Sequence, residues 1–225
     1  MSTVQQPVTP LVAGEEMSAE EFLRRWEASP RIKRAELIGG IVRMPSPLSL
    51  EHGEMDTAMG TWLGVYAAAT PGCRAGSNAT WRMLADVPQP DVHLRILPEY
   101  GGQSQVEGRF ASGAPELAVE VCLTSSSYDL HEKKDLYRAA GVIEYIAVLV
   151  DEKEVRWHRL VSQAYQVVPA AAEGIICSAT FPGLWLNAPA MLEGNMPLVL
   201  ATLNQGLGSP EHALFVSRLA AHCSR

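Results

Sequence analysis

Hydrophobic and polar positions divide the chain into segments of two periods. "SAEEFLRRWEAS" (18–29) and the stretch from Ser49 to about Ala69 repeat at helical spacing. In the second, Met55, Met59, Trp62, Leu63 and Tyr66 fall on one face. Ser18 reads as an N-cap with Glu21 closing a capping box. A third helix is predicted over 128–140: Leu130, Leu136, Tyr137 and Ala140 define its apolar face and Gly141 stops it. "RAELIGGIVRM" reads as a hairpin turning at Gly39-Gly40. "CRAG", "ATWRML" and "DVHLRIL" are strand candidates. "ELAVEVCL" (116–123) and "IEYIAVLV" are apolar enough for strands covered on both faces, and "EVRWHRL" with "AYQVV" makes a closing hairpin. "PSPLS" and the polar stretch 98–115 read as loops, and "FPGLWLNAPAMLEGN" as irregular. Residues 196–222 read as one or two helices interrupted at "GLGSP".

This order predicts an α/β layer architecture: a mixed central β-sheet flanked by helices, with an N-terminal helix and hairpin and extra C-terminal helices. Residues 1–16, rich in Pro, Gln and small residues, are expected to be flexible; 17–193 form the main domain and 194–225 a helical extension. At 225 residues and 47% hydrophobic, the chain can bury a full core. No apolar stretch reaches the ~18 residues of a membrane span. The N-terminus lacks the basic start and apolar run of a secretory signal, so a cytoplasmic protein is expected. The four cysteines are widely separated without a CxxC, which argues against structural zinc and a disulfide framework. A net charge of −7 argues against tight nonspecific nucleic-acid binding driven by total charge, but leaves a local basic groove open. Arg24, Arg25, Arg31, Lys33 and Arg34, near Trp26, are the candidate for such a groove; a solvated helix end and loop explains them equally well.

One position breaks the apolar pattern. Glu120 stands inside a strand that should be buried, where an unpaired charge costs several kcal/mol or more. Asp91, after Pro90, begins another strand. Alone it reads as a turn residue, but two strands of one sheet can set it beside Glu120. Neighbouring carboxylates repel unless a cation lies between them, and Mg²⁺ or Mn²⁺ suits such an oxygen-rich setting. On the helix at 128–140, Lys133 falls near the centre of the apolar face while Lys134 lies to the side. Lys133 either snorkels to solvent or aims at Glu120. Glu36 lies in a short apolar strand and His52 near a helix start, where a structural role would also account for it; Glu51 suits the positive end of that helix.

Several of these segments, in order, resemble the Uma2 family: "ELIGGIVRMPSPLSLEH", "QPDV", "GAPELAVEV", "YDLHEKKDLYRAAGVIEYIAVLVDEKEVRWHRL" and "PGLWLN", together spanning about residues 17 to 193. The family was formerly a domain of unknown function and is bacterial, with a fold of the PD-(D/E)xK restriction-endonuclease-like superfamily. The resemblance implies that Pro90-Asp91 is the "PD", that Glu120 is the second acid, and that Glu36 and His52 match positions the family keeps. Cys122 stands where the plain superfamily motif has lysine. The lysine is displaced to the next helix, in a "DLxxKxxxY" pattern matched by Asp129, Leu130, Lys133 and Tyr137.

The implied activity is metal-dependent endonucleolytic hydrolysis of phosphodiester bonds. Asp91, Glu120 and the Val121 carbonyl would hold Mg²⁺ (or Mn²⁺), with Glu36 or His52 completing the shell. The ion would polarise the phosphodiester and lower the pKa of a bound water, and Lys133 would orient that water or offset charge. DNA is the expected substrate ahead of RNA, and a homodimer the expected assembly. Three rivals remain at this point. They are a catalytically inactive binding or assembly module, a metal-dependent hydrolase of small phosphate esters, and an interaction protein whose charged set is only an ion-pair network.

Overall fold

Short, well-capped elements begin the chain. The structure, a computed structural model, describes residues 9–44, 49–123 and 128–223, with the side chains of residues 128–130 outside the described set. Residues 9–16, expected to be loose, run against the hairpin that follows. Leu11 is buried, Gly14 N–H donates to the Val42 carbonyl and Val42 N–H to that of Glu15. Helix α1 (Ala19–Glu27) starts where Ser18 Oγ accepts from Glu21 N–H. The Glu21 carboxylate, expected to close the capping box, instead takes the guanidinium groups of Arg24 and Arg25. Strands β1 (Glu36–Ile38) and β2 (Ile41–Arg43) form the predicted hairpin, with Gly39 and Gly40 at φ of 60° and 75°. Phe22, Leu23, Leu37, Val42 and Val87 pack α1 onto it. Of the "PSPLS" loop, residues 45–48 lie outside the described residues.

Helix α2 (Leu50–Ala69) is capped by Ser49, whose Oγ accepts from His52 N–H. After it come β3 (Cys73–Ser77), β4 (Trp81–Arg82), β5 (Val92–Ile96), β6 (Gln105–Glu107), β7 (Phe110–Ser112) and β8 (Leu117–Cys122). Helix α3 (Tyr128–Ala140), β9 (Glu144–Leu149), β10 (Glu154–Val161) and β11 (Ala164–Val167) complete the centre. The main sheet runs β11-β10-β9-β8-β5-β3; β8 and β9 are parallel and the other pairs antiparallel. This is the mixed α/β sheet that the patterning predicts.

Alternation along β8 and β9 assigns the faces. Val119, Val121, Ile146 and Val148 face one core with Trp62, Leu63 and Tyr66 of α2. Ala118, Tyr145, Ala147 and Leu149 face another with Leu136 and Tyr137 of α3. Both faces are covered, so both strands read as continuous apolar runs. Glu120 shares its side with Ala118 and therefore points towards α3.

Three segments differ from expectation. The loop at 98–115 contains a turn of 3₁₀-helix (Pro98–Tyr100) and the β6–β7 hairpin, which joins β4 in a separate three-stranded sheet. Its strands are three residues long, β6 exposed and β7 partly buried, too short to show a period. For the same reason "ATWRML" supplies only two strand residues, and to this small sheet. The segment expected to be irregular holds β13 (Trp185–Asn187), paired with β12 (Ile175–Cys177), and α4 (Ala188–Leu192). Helices α5 (Met196–Leu207) and α6 (Pro210–Cys223) place Val199, Leu203, Phe215 and Leu219 in the same core as α2. Among the described residues, no helix is long and apolar enough to cross a membrane.

Candidate active site

Register brings the two acids together. Val92 pairs with Val119, so one step further along the antiparallel strands Asp91 lies across from Glu120. Asp91 Oδ2 accepts the Val121 N–H at 2.9 Å. The bend that aims Asp91 is held by Asn78, whose N–H meets the Pro90 and Asp91 carbonyls at 3.1 Å each.

Glu120 is 4% exposed, and both its oxygens are engaged. Oε2 takes Lys133 Nζ at 3.0 Å and Oε1 takes the Tyr137 hydroxyl at 2.5 Å. Lys133 and Tyr137 are one turn apart on α3, the spacing that puts both on the strand-facing side. Lys133, itself 7% exposed, also lies 3.0 Å from Glu36 Oε1. That same oxygen accepts the Gln89 N–H at 2.6 Å, which fixes β1 against the turn leading to Asp91. An ion pair between Arg43 and Glu132 ties the hairpin to α3 as well. From the other side, His52 Nε2 stands 3.8 Å from Asp91 Oδ2. The Ser49 cap seats the first turn of α2 that carries it.

All five residues singled out in the sequence (Glu36, His52, Asp91, Glu120 and Lys133) thus meet at one place. Asp129 and Leu130 of the helical pattern have side chains outside the described residues. Sequence reasoning passed over Asp56, one turn beyond His52 on α2. Its carboxyl is pushed up by burial and then by the Asp91 charge, and Asn78 links it to Arg34. The i, i+4 spacing from His52 is the signal that could have found it.

Three carboxylates therefore surround one ammonium. Burial pushes the Glu120 carboxyl up; Lys133 pulls against this, while Asp91 and Glu36 add to it. Burial alone would lower the pKa of Lys133, but Glu120, Glu36 and Asp91 together raise it, so the amine stays a cation. Tyr137 is held as a phenol, first by burial and then by the Glu120 charge. The cluster carries more negative charge than Lys133 neutralises.

Whether a metal ion fits can be tested on the donors. Among the described residues, no group of three or more His, Cys, Asp or Glu is disposed to close around one ion. That disfavours a closed transition-metal site. Mg²⁺ needs less, because it keeps several waters and takes one or two carboxylates. Asp91 and Glu120 offer hard oxygens with spare lone pairs beside a buried His52 Nε2 that has no hydrogen-bond partner. The donor set fits a hydrated Mg²⁺ or Mn²⁺.

The basic cluster read from the sequence is mostly spoken for. Arg24 pairs with Glu21, Arg25 with Glu21 and Glu15, and Arg34 with Asn78. Lys33 and Trp26 instead line a cleft beside the small sheet.

Comparison with known proteins agrees with the fold. No curated protein matches the chain. A crystal structure described as "a putative nuclease belonging to DUF820 from Anabaena variabilis" is similar, with a TM-score of 0.62 at 18% identity over 78% of this chain and 99% of that one. At that identity the likeness speaks for the fold. The family model described as "Uma2: Putative restriction endonuclease" matches residues 19–189, which include Glu36, His52, Asp91, Glu120 and Lys133, and the chain belongs to the Uma2 family.

Proposed function

We propose that the protein is a metal-dependent endonuclease hydrolysing phosphodiester bonds of nucleic acid. The observation that carries this reading is a buried lysine held between carboxylates just beyond the last β5–β8 pair, with Asp91 and His52 beside it. Asp91 and Glu120 would hold Mg²⁺ (or Mn²⁺). The Val121 carbonyl would join them, since its N–H already faces Asp91 and a strand residue's N–H and C=O point the same way. Such an ion would supply Lewis-acid stabilisation of charge on the phosphate.

The chain's own residues do the rest. Lys133 keeps its proton and offers N–H donors to a phosphate oxygen as negative charge grows there. Glu36 and Tyr137 keep Lys133 and Glu120 in place, so little reorganisation accompanies the reaction. His52 Nε2, buried and without a hydrogen-bond partner, is available to a water beside Asp91. Likeness to a family described as restriction endonucleases favours DNA as substrate.

The test is cleavage of single- and double-stranded DNA and RNA with Mg²⁺ or Mn²⁺, with Lys133→Ala as control. Metal-dependent cleavage absent from the variant supports the reading. A folded wild-type protein that cleaves none of the four polymers overturns it.

A further inference from the structure

A second feature lies on the far side of Asp91. A cleft of about 610 Å³ opens between the segment after α1, the small β4-β7-β6 sheet and strand β5. Its lining includes Trp26, Lys33, Trp81, His93, Arg95 and Arg109, with Phe110 beside them. Three cationic side chains thus stand against one acid, Glu27. Charge alone would be weak evidence, because Lys33 and Arg109 are exposed.

Buried polar atoms lie behind this lining as well. Trp81 Nε1, His93 Nδ1 and Arg95 Nη1 are all buried atoms with no hydrogen-bond partner. Trp81 is fully buried and His93 is 6% exposed. Each unmatched buried polar atom costs about 1–3 kcal/mol. All three atoms are closed to solvent, so of these residues only Arg95, which is part-exposed, can turn a donor into the cleft. Guanidinium and ammonium nitrogens only donate, so an occupant held by Arg95, Arg109 and Lys33 presents acceptors. The same lining carries flat apolar surface. Trp26 is locked by its own N–H to the Ile32 carbonyl at 2.9 Å, and Phe110 is half-buried. His93 can lie along β5 because Gly76 opposite has no side chain; a Cβ there would come within 2.6 Å of the ring.

We propose that this cleft binds a nucleotide unit, with its phosphate on Arg95, Lys33 and Arg109 and its base against Trp26 and Phe110. Acceptor oxygens, negative charge and a planar face are what the lining asks for together. The choice of a nucleotide over another flat anion rests on the nuclease reading. The cleft also adjoins the candidate active site along the chain. His93 and Arg95 follow Asp91 on β5, placing Arg95 about 13 Å further along the strand. Thr80 on the lining accepts from Gln89, whose N–H holds Glu36. A strand lying across Asp91 would continue into the cleft.

The experiment is equilibrium binding to the full chain in EDTA, read by tryptophan fluorescence. The probes are a ten-nucleotide single-stranded DNA, a free mononucleotide and inorganic phosphate. DNA binding should weaken about tenfold in both Trp26→Ala and Arg95→Gln, and measurably in Arg109→Gln, whose exposed side chain spares the fold. Tighter binding of the oligonucleotide than of the mononucleotide identifies a strand as the occupant, and equal binding a free nucleotide. Unchanged affinity in Arg95→Gln and Arg109→Gln, or phosphate binding as tightly as the nucleotides, overturns the proposal. The two readings separate cleanly: cleavage without cleft binding leaves the nuclease standing, and cleft binding without cleavage leaves the cleft.

Discussion

Glu120 on β8 and Glu144 on β9 are both buried carboxylates in apolar strands, yet their surroundings differ in kind. Glu144 is fully buried on the α2 side of the sheet. It accepts from Trp157 Nε1, Ser178 Oγ and the N–H groups of Ala179 and Thr180, at 2.8–3.1 Å. Every donor is neutral and the set is closed. Glu120, on the α3 side, meets a phenol, an ammonium and two further carboxylates. The first arrangement stabilises one anion and has no room for change. The second has a surplus of negative charge that neither Lys133 nor Tyr137 removes. Burial alone did not separate the two; the neighbours did.

The same substitution at both positions gives the largest contrast. Glu120→Gln should lower cleavage by about 10²–10³-fold, the scale of losing one preorganised charge-stabilising group. Its thermal midpoint should hold or rise, because one of three crowded carboxylates loses its charge while Lys133 keeps Glu36. Glu144→Gln should do the reverse. Its amide NH₂ would face donors, leaving some unmatched, and stability should fall by about 2–4 kcal/mol in urea titration. Cleavage by the fraction that remains folded should be unchanged. If the two variants lose stability alike and neither affects cleavage, Glu120 is a structural acid like Glu144.

Much of this contrast was legible before the fold was known, for a definite reason. An acid in a continuous apolar run conflicts with its surroundings, and Glu120 showed that conflict between Val119 and Val121. Lys133 showed it on a helical wheel. Glu144 opens its strand instead of interrupting it, so nothing marked it, and its partners lie 13 to 36 residues away. Asp56 escaped notice because an acid on a long helix usually meets solvent. The small β4-β7-β6 sheet escaped because two- and three-residue strands carry no period. Long-range partners and short strands are fixed by tertiary packing, which local pattern does not encode.

Divalent cation sharpens the comparison at a smaller scale. A ligand that binds only the folded state raises stability as its concentration exceeds the dissociation constant, by about 2.7 kcal/mol at a hundredfold excess. Millimolar Mg²⁺ or Mn²⁺ should therefore raise the thermal midpoint of the wild type by a few degrees. The rise should disappear in Glu120→Gln and persist, from a lower starting point, in Glu144→Gln. Equal rises in all three proteins would place the ion away from Glu120.

The smallest effect belongs to His158 on β10, which shows how a buried ionisable group behaves without a compensating charge. It is 5% exposed and stacks on Tyr145. Burial, and then the Lys134 ammonium, push its pKa down from 6.5 to about 4. The unfolded chain thus binds a proton that the folded chain refuses between those values. The His158 contribution is fully present above pH 6.5 and is lost as pH falls towards 4. Part of the imidazole's charge would be relieved by local opening, so about 1 kcal/mol is expected over this window. His158→Phe keeps a flat ring against Tyr145 and cannot titrate. Urea titrations at pH 7 and pH 5 should show the wild type losing more stability on acidification than the variant does. Parallel losses in the two proteins would assign the acid sensitivity to other groups and leave His158 as packing alone.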